Sequence, residues 1–171
     1  MTETLTLSDR LAGELTQEAA TTRRVLERVP ENKLSWKPHP KSMSLGQLAL
    51  HVAQIPGALA EFFREPVREA PTFGTRPQAR SVEELLSAHE ESQRAASAQL
   101  ASWSEDDLAA EWRMSLDGTT ILALPRMDMV RAVMFNHLYH HRGELIVYLR
   151  LVNVPIPSVY GPSADENPFA A

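Results

Sequence analysis

Three of the chain's six histidines fall inside five residues, in the segment Asn136-His137-Leu138-Tyr139-His140-His141-Arg142-Gly143-Glu144. Neutral imidazole is a nitrogen donor that suits divalent metal ions. The surrounding apolar periodicity predicts one long helix. A helix turns about 100° per residue, so His137 and His141 project from nearly the same face, one turn apart. Two imidazoles stacked in this way can hold one ion. His140 sits about 100° around from His141, so these two neighbours cannot point along one line. Spacing alone leaves His137/His141 and His137/His140 both open, and the four-residue spacing is the more usual pair on a helix. Glu144 and Tyr148 continue the stripe of His137 and His141.

A third ligand must come from elsewhere, and His51 is the best candidate. It lies in Leu48-Ala49-Leu50-His51-Val52-Ala53, an apolar stretch of a second predicted helix. A histidine on a buried face needs a polar partner, ordinarily a hydrogen bond and here also a metal. Three neutral imidazoles, with the next position left to water or substrate, make a catalytic rather than a closed structural site. Zinc or nickel suits such a set, with iron, manganese and copper as further candidates. Glu144 is the candidate proton carrier. His39 and His89 read as surface residues, and Trp36, Trp103 and Trp112 as packing residues.

Other chemistries are excluded by what the chain lacks. It has no cysteine, so disulfides, thiolate-metal sites and a cysteine nucleophile are ruled out. There are no paired Glu-x-x-His motifs of a di-iron bundle and no His-Glu-x-x-His. Neither a Gly-x-Ser-x-Gly elbow nor a Gly-x-Gly-x-x-Gly loop occurs. The net charge of −5 and the absence of a basic run argue against a nucleic-acid partner. No apolar run approaches the roughly 18–20 residues that cross a bilayer. The start, Met1-Thr2-Glu3-Thr4, lacks the basic segment of a signal peptide. The expectation is a cytoplasmic protein without a membrane partner. With 171 residues, 43% hydrophobic and 23% charged, residues 1–171 read as a single globular domain.

Four long helices are predicted to position the histidines. The first runs from Leu7 to Val29 and stops at Pro30. Pro30 to Met43 is loop. Ser44 and Gln47 form a capping box that opens a second helix, running to about Phe63 with a kink at Pro56. Pro66 to Arg80 is a second loop, rich in proline and glycine. Ser81 and Glu84 form another capping box, for a helix from Val82 to about Ser102. Trp112, Met114 and Leu116 alternate, and Asp117-Gly118 is a hairpin turn signal. The last helix runs from about Pro125 or Arg126 to Val152, and an irregular tail from Ser158 to Ala171 follows. This pattern predicts an all-α helix bundle, with at most a small β-hairpin before the last helix.

The combination of Leu48-x-x-His51 with His137-Leu-Tyr-His140-His141-Arg142-Gly143 resembles the DinB-like, or YfiT-like, metalloenzyme superfamily. So do the Trp36-Lys37-Pro38 loop, the Ser44 helix start, and Tyr148-Leu149-Arg150 through Pro155, Pro157 and Tyr160-Gly161-Pro162. The resemblance spans nearly the whole chain. It implies an up-down-down-up four-helix bundle with His51, His137 and His141 as the metal set. The residue after His-His-Arg-Gly is often Gln in that family and is Glu144 here. Relatives of this type include S-transferases and isomerases that use mycothiol, bacillithiol or glutathione. The resemblance therefore implies thiol-dependent transfer, or hydrolysis, on a small-molecule substrate, with a low-molecular-weight thiol as cosubstrate. The alternative is a non-catalytic metal-binding bundle serving binding or interaction. Many members pair as homodimers through bundle helices, which is the expectation here too.

Overall fold

The computed structural model describes residues 5–72 and 74–170. The polar start at residues 1–4, Phe73 in the second loop, and Ala171 at the end of the tail lie outside the described residues.

Helix α1 spans Leu7–Leu26 and opens on a reciprocal Thr6/Asp9 capping box. It ends short of the expected Val29, because the residue before a proline is biased away from helical backbone. One 3-10 turn, Glu31–Lys33, follows. Helix α2, Leu45–Phe62, begins with the predicted Ser44/Gln47 box and continues through Pro56. Helix α3 spans Val82–Ser102. Its box is one-sided: the Ser81 hydroxyl accepts from the Glu84 amide, whereas the Glu84 carboxylate accepts from the Arg80 amide at 2.8 Å. A short helix α4, Glu105–Ala109, has its own Ser104/Asp107 box.

The expected all-α fold is corrected by a three-stranded mixed sheet. Its strands are β1 (Val67–Glu69), β2 (Glu111–Leu116) and β3 (Thr119–Pro125), in the order β1-β2-β3. The hairpin β2–β3 turns at Asp117 and Gly118, with φ of 50° and 75°. These left-handed values are those of a type I′ turn, which matches the twist of paired strands. Strand β1 pairs parallel with β2, Val67 opposite Arg113. Three residues are too short to display an alternating pattern, and the partner lies far along the chain. The segment therefore reads as loop until the tertiary fold supplies the neighbouring strand.

The last helix is continuous but not uniform. Helix α5 (Arg126–Met129) passes into a π-helical stretch, Val130–Phe135, and then into α6, Asn136–Leu151. Within α6 the buried residues Leu138, Arg142, Leu145 and Leu149 follow helical spacing. Extended backwards, that spacing would bury position 131. Instead Val130 is fully buried and Arg131 is half-exposed. A π turn takes one extra residue, which shifts the inward face by that single position.

α2 packs against α3 and α6, and α1 packs against α3 and α6. One apolar cluster gathers around Leu48, Val52, Leu138 and Leu145. A second surrounds Trp112 with Phe63, Leu100 and Phe135. The tail is held to the helices by the Arg150–Asp165 and Arg24–Glu166 ion pairs.

The α2–α3 contact has almost no slack at Gly57. A Cβ there would meet the Ser92 Cα at 2.8 Å and its carbonyl oxygen at 2.9 Å. The Gly57 amide donates to the Ser92 hydroxyl at 2.8 Å. Gly57→Ala is expected to destabilise the protein by about 1–3 kcal/mol through overpacking. Gly13→Ala, at a helical position with open space around it, should be stabilising by roughly 0.5–1 kcal/mol. Denaturant midpoints of the two variants check the contrast, and equal shifts would contradict it.

Candidate metal centre

His51 sits on α2 at the middle of a polar stripe, Gln47, His51 and Gln54, that interrupts an otherwise apolar helix. His137 and His141 sit on the facing surface of α6. The His51 Nε2 and His137 Nε2 atoms are 3.1 Å apart. The His141 ring lies 4.7 Å from that of His51 and 4.6 Å from that of His137, centroid to centroid. One nitrogen from each of the three rings falls within 4.8 Å of the others. The structure thus brings together the three histidines singled out in the sequence.

His140 is not part of this convergence. Its side chain is 64% exposed, and its Nε2 lies 3.4 Å from Glu144 Oε1. His140, His141 and Glu144 do form a second group with donor atoms within 4.8 Å. In that group the Glu144 Oε2 is already engaged by His141 Nδ1 at 2.6 Å. An ionised carboxylate only accepts, so Nδ1 of His141 carries the proton and Nε2 keeps its lone pair. Glu144 therefore orients a histidine of the first group.

The environment keeps the imidazoles uncharged. Burial, then the positive charge of Arg76, then the neighbouring histidines lower His51 to about 3. Burial and His141, followed by Arg76, lower His137 to about 4. Burial also lowers His141, against the opposing hydrogen bond and charge of Glu144. Neutral rings are the metal-binding form.

Rotation of α6 is fixed by the residue next to His141. Arg142 is 1% exposed and pairs with Glu18 Oε2 of α1 at 2.6 Å. It also donates to the Thr22 hydroxyl at 3.0 Å and to the Tyr160 hydroxyl in the tail. Tyr148 continues the histidine stripe and packs edge-on against Trp36, with centroids 5.8 Å apart.

Beside His51 is a cavity of about 80 Å³ lined by Gln47, Leu50, His51, Gln54, Arg76 and Pro77. Neither Arg76 nor Arg142 stood out in the sequence. Arg142 was part of a motif without a role. Arg76 lay in a loop whose position only folding defines. The Gln47/His51/Gln54 stripe was a readable signal for the cavity wall. His89, read as a surface residue, is buried at 3% exposure, with Nε2 3.1 Å from the Ala19 carbonyl. The glutamates around it on α3 concealed the inward face on which it lies. His39 is exposed, as read.

Among the described residues no helix is long and apolar enough to cross a membrane. No curated protein matches the chain. Solved structures similar to it include two of DinB-like proteins. The one from Bacillus cereus has a TM-score of 0.69 at 19% identity, covering 88% of this chain and 95% of that one. The one from Bacillus subtilis, YjoA, has a TM-score of 0.64 at 19% identity, covering 86% and 96%. At such identity these likenesses establish the fold. The sequence model of the DinB family matches residues 1–168, nearly the whole chain, and on that match the protein belongs to the DinB family.

Proposed function

We propose that the protein is a metal-dependent enzyme acting on a small molecule, with one divalent ion held by His51, His137 and His141. The observation that carries this reading is the convergence of three neutral imidazoles on one point between α2 and α6. Two nitrogens on one zinc ion, each at about 2.0–2.1 Å in tetrahedral array, lie roughly 3.3 Å apart. The 3.1 Å separation of His51 and His137 is close to that spacing. The donor set is all nitrogen, which favours zinc or nickel over harder ions.

A bound ion would supply an open position that favours the thiolate of a low-molecular-weight thiol, or that acidifies water. A chain without cysteine leaves the sulfur to the cosubstrate. The cavity beside His51 gives that side of the site room for a ligand. His51, His137 and His141 bind. Glu144 fixes the tautomer of His141, in the manner of the carboxylate–histidine pairs that support metal ligands. Its second oxygen lies toward exposed His140, a route by which Glu144 can exchange a proton with solvent.

Elemental analysis of tag-free protein tests the reading directly. Near-stoichiometric metal is expected in the wild type and none in the His137→Ala/His141→Ala double variant. His51→Ala should lose metal equally, while His140→Ala should retain it. Loss in His140→Ala with retention in His51→Ala would reassign the site to the second group. Glu144→Ala should weaken metal affinity about 10–100-fold, and Glu144→Gln, which keeps an acceptor oxygen, should weaken it less. Unchanged affinity in both would remove the orienting role.

The lowered histidines also set a pH dependence. Their folded-state values lie below the unfolded value of about 6.5. Above pH 6.5 the rings are neutral in both states and no protonation penalty arises. As pH falls from there towards 4, the unfolded chain takes up protons that the folded site refuses, so metal-free protein loses stability. Thermal melts of metal-free wild type and His51→Gln should therefore diverge across this window, with the variant less sensitive to acid. Parallel curves would contradict it.

A further inference from the structure

The segment that carries Arg76 is fastened to the start of α2. The Gln47 side-chain amide donates to the Arg76 carbonyl at 3.0 Å, and the Ser44 hydroxyl donates to Gln78 Oε1 at 2.7 Å. Gly46 admits the segment: a Cβ there would lie 2.9 Å from Gln78 Cγ and 3.1 Å from the Leu34 carbonyl oxygen. Ala79 closes the join at 1% exposure. These anchors act on backbone and neighbouring side chains, leaving the Arg76 guanidinium free of a structural duty. Arg76 is half-buried and forms no ion pair among the described residues, whereas its neighbour Arg80 pairs with Glu84.

Arg76 lines the same small cavity as His51, and its charge is felt at all three histidines. A half-buried cation beside a metal site is a costly arrangement unless something neutralises it. Three neutral ligands leave the ion's charge undiminished, and Arg76 adds to it. The carboxylate beside the histidines, Glu144, is committed to His141. A water needs about 10–15 Å³ of such volume, so a cavity of about 80 Å³ has room for a small polar head group.

We propose that Arg76 is a specificity-determining residue that anchors a carboxylate on the substrate or cosubstrate of the metal site, an inference that rests on the metal-dependent reading above. The planar guanidinium fork pairs with a carboxylate through two parallel hydrogen bonds. Gln47 and Gln54, on the same wall, supply further amide donors. The selected ligand is thus a small acid whose reacting group reaches the three-histidine point while its carboxylate meets Arg76.

The test uses the full chain loaded with cobalt(II) and two thiols of matched length, 3-mercaptopropionate and 2-mercaptoethanol. Affinities are read from the sulfur-to-cobalt absorption band. The wild type should bind the acid at least about tenfold more tightly, the equivalent of one charge-assisted contact. Arg76→Met should bring the two affinities within about twofold, since it removes that contact. Arg76→Lys should fall between, keeping the charge but not the fork. Equal affinities in the wild type would overturn the proposal without recourse to any variant. A preference that survives in Arg76→Met would assign the carboxylate to the metal and overturn it equally. Absence of cobalt uptake, or of the band with either thiol, would instead bring down the metal–thiol reading and this proposal with it.

Discussion

The placement of the candidate centre depends on a buried arginine that is no part of it. Arg142 lies against α1, where Glu18 and Thr22 satisfy its guanidinium. Tyr160 of the tail donates to Glu18 at 2.9 Å and so completes the cage. A buried charge left without partners is strongly unfavourable, so Arg142 orients α6 together with Leu138, Leu145 and Leu149, which are buried on the same face. In that rotation His137 and His141 are turned toward His51 of α2.

The π-helical stretch serves the same end from the other side. At its start, Met129 and Val130 face the core around Trp112. Downstream, Leu138 and Leu145 face the core around α2. A uniform helix would present these two sets about 100° out of phase. The extra residue between Val130 and Phe135 brings both into register, so that one helix serves two apolar clusters and a polar site between helices. π turns recur at functional sites, and here the geometric reason is visible.

Electrostatically the candidate site sets neutral imidazoles beside a cationic residue. The three imidazoles are neutral, largely through burial, and the adjacent cation comes from a loop fastened to the opening turn of α2. Glu144 is spent on holding His141. The polar stripe on α2 connects these features, since Gln47 holds the Arg76 backbone and His51 lies one turn further on. α2 therefore both carries His51 and anchors the loop of Arg76, while α6 supplies His137 and His141.

Local chemistry determined a large part of this protein. The Ser44/Gln47 box, the Asp117-Gly118 turn and the helical spacing of His137, His141 and Glu144 are short-range features that any chain of this sequence would favour. The three-histidine set was likewise legible, because its α6 pair is a repeat on one helix and His51 is the odd polar residue in an apolar run. Tertiary structure decided what depends on distant segments meeting. Strand β1 exists only because β2 lies beside it. His89 is buried because α1 covers it, and Arg76 lies in the cavity wall beside His51 because Gly46 lets its loop approach. Spacing alone left His141 and His140 both open as partners of His137; in space it is the His141 ring that lies beside those of His51 and His137, while His140 is exposed. Such contacts exist only when chain segments far apart in sequence close on one another, and no local pattern of residues encodes the geometry of that closure.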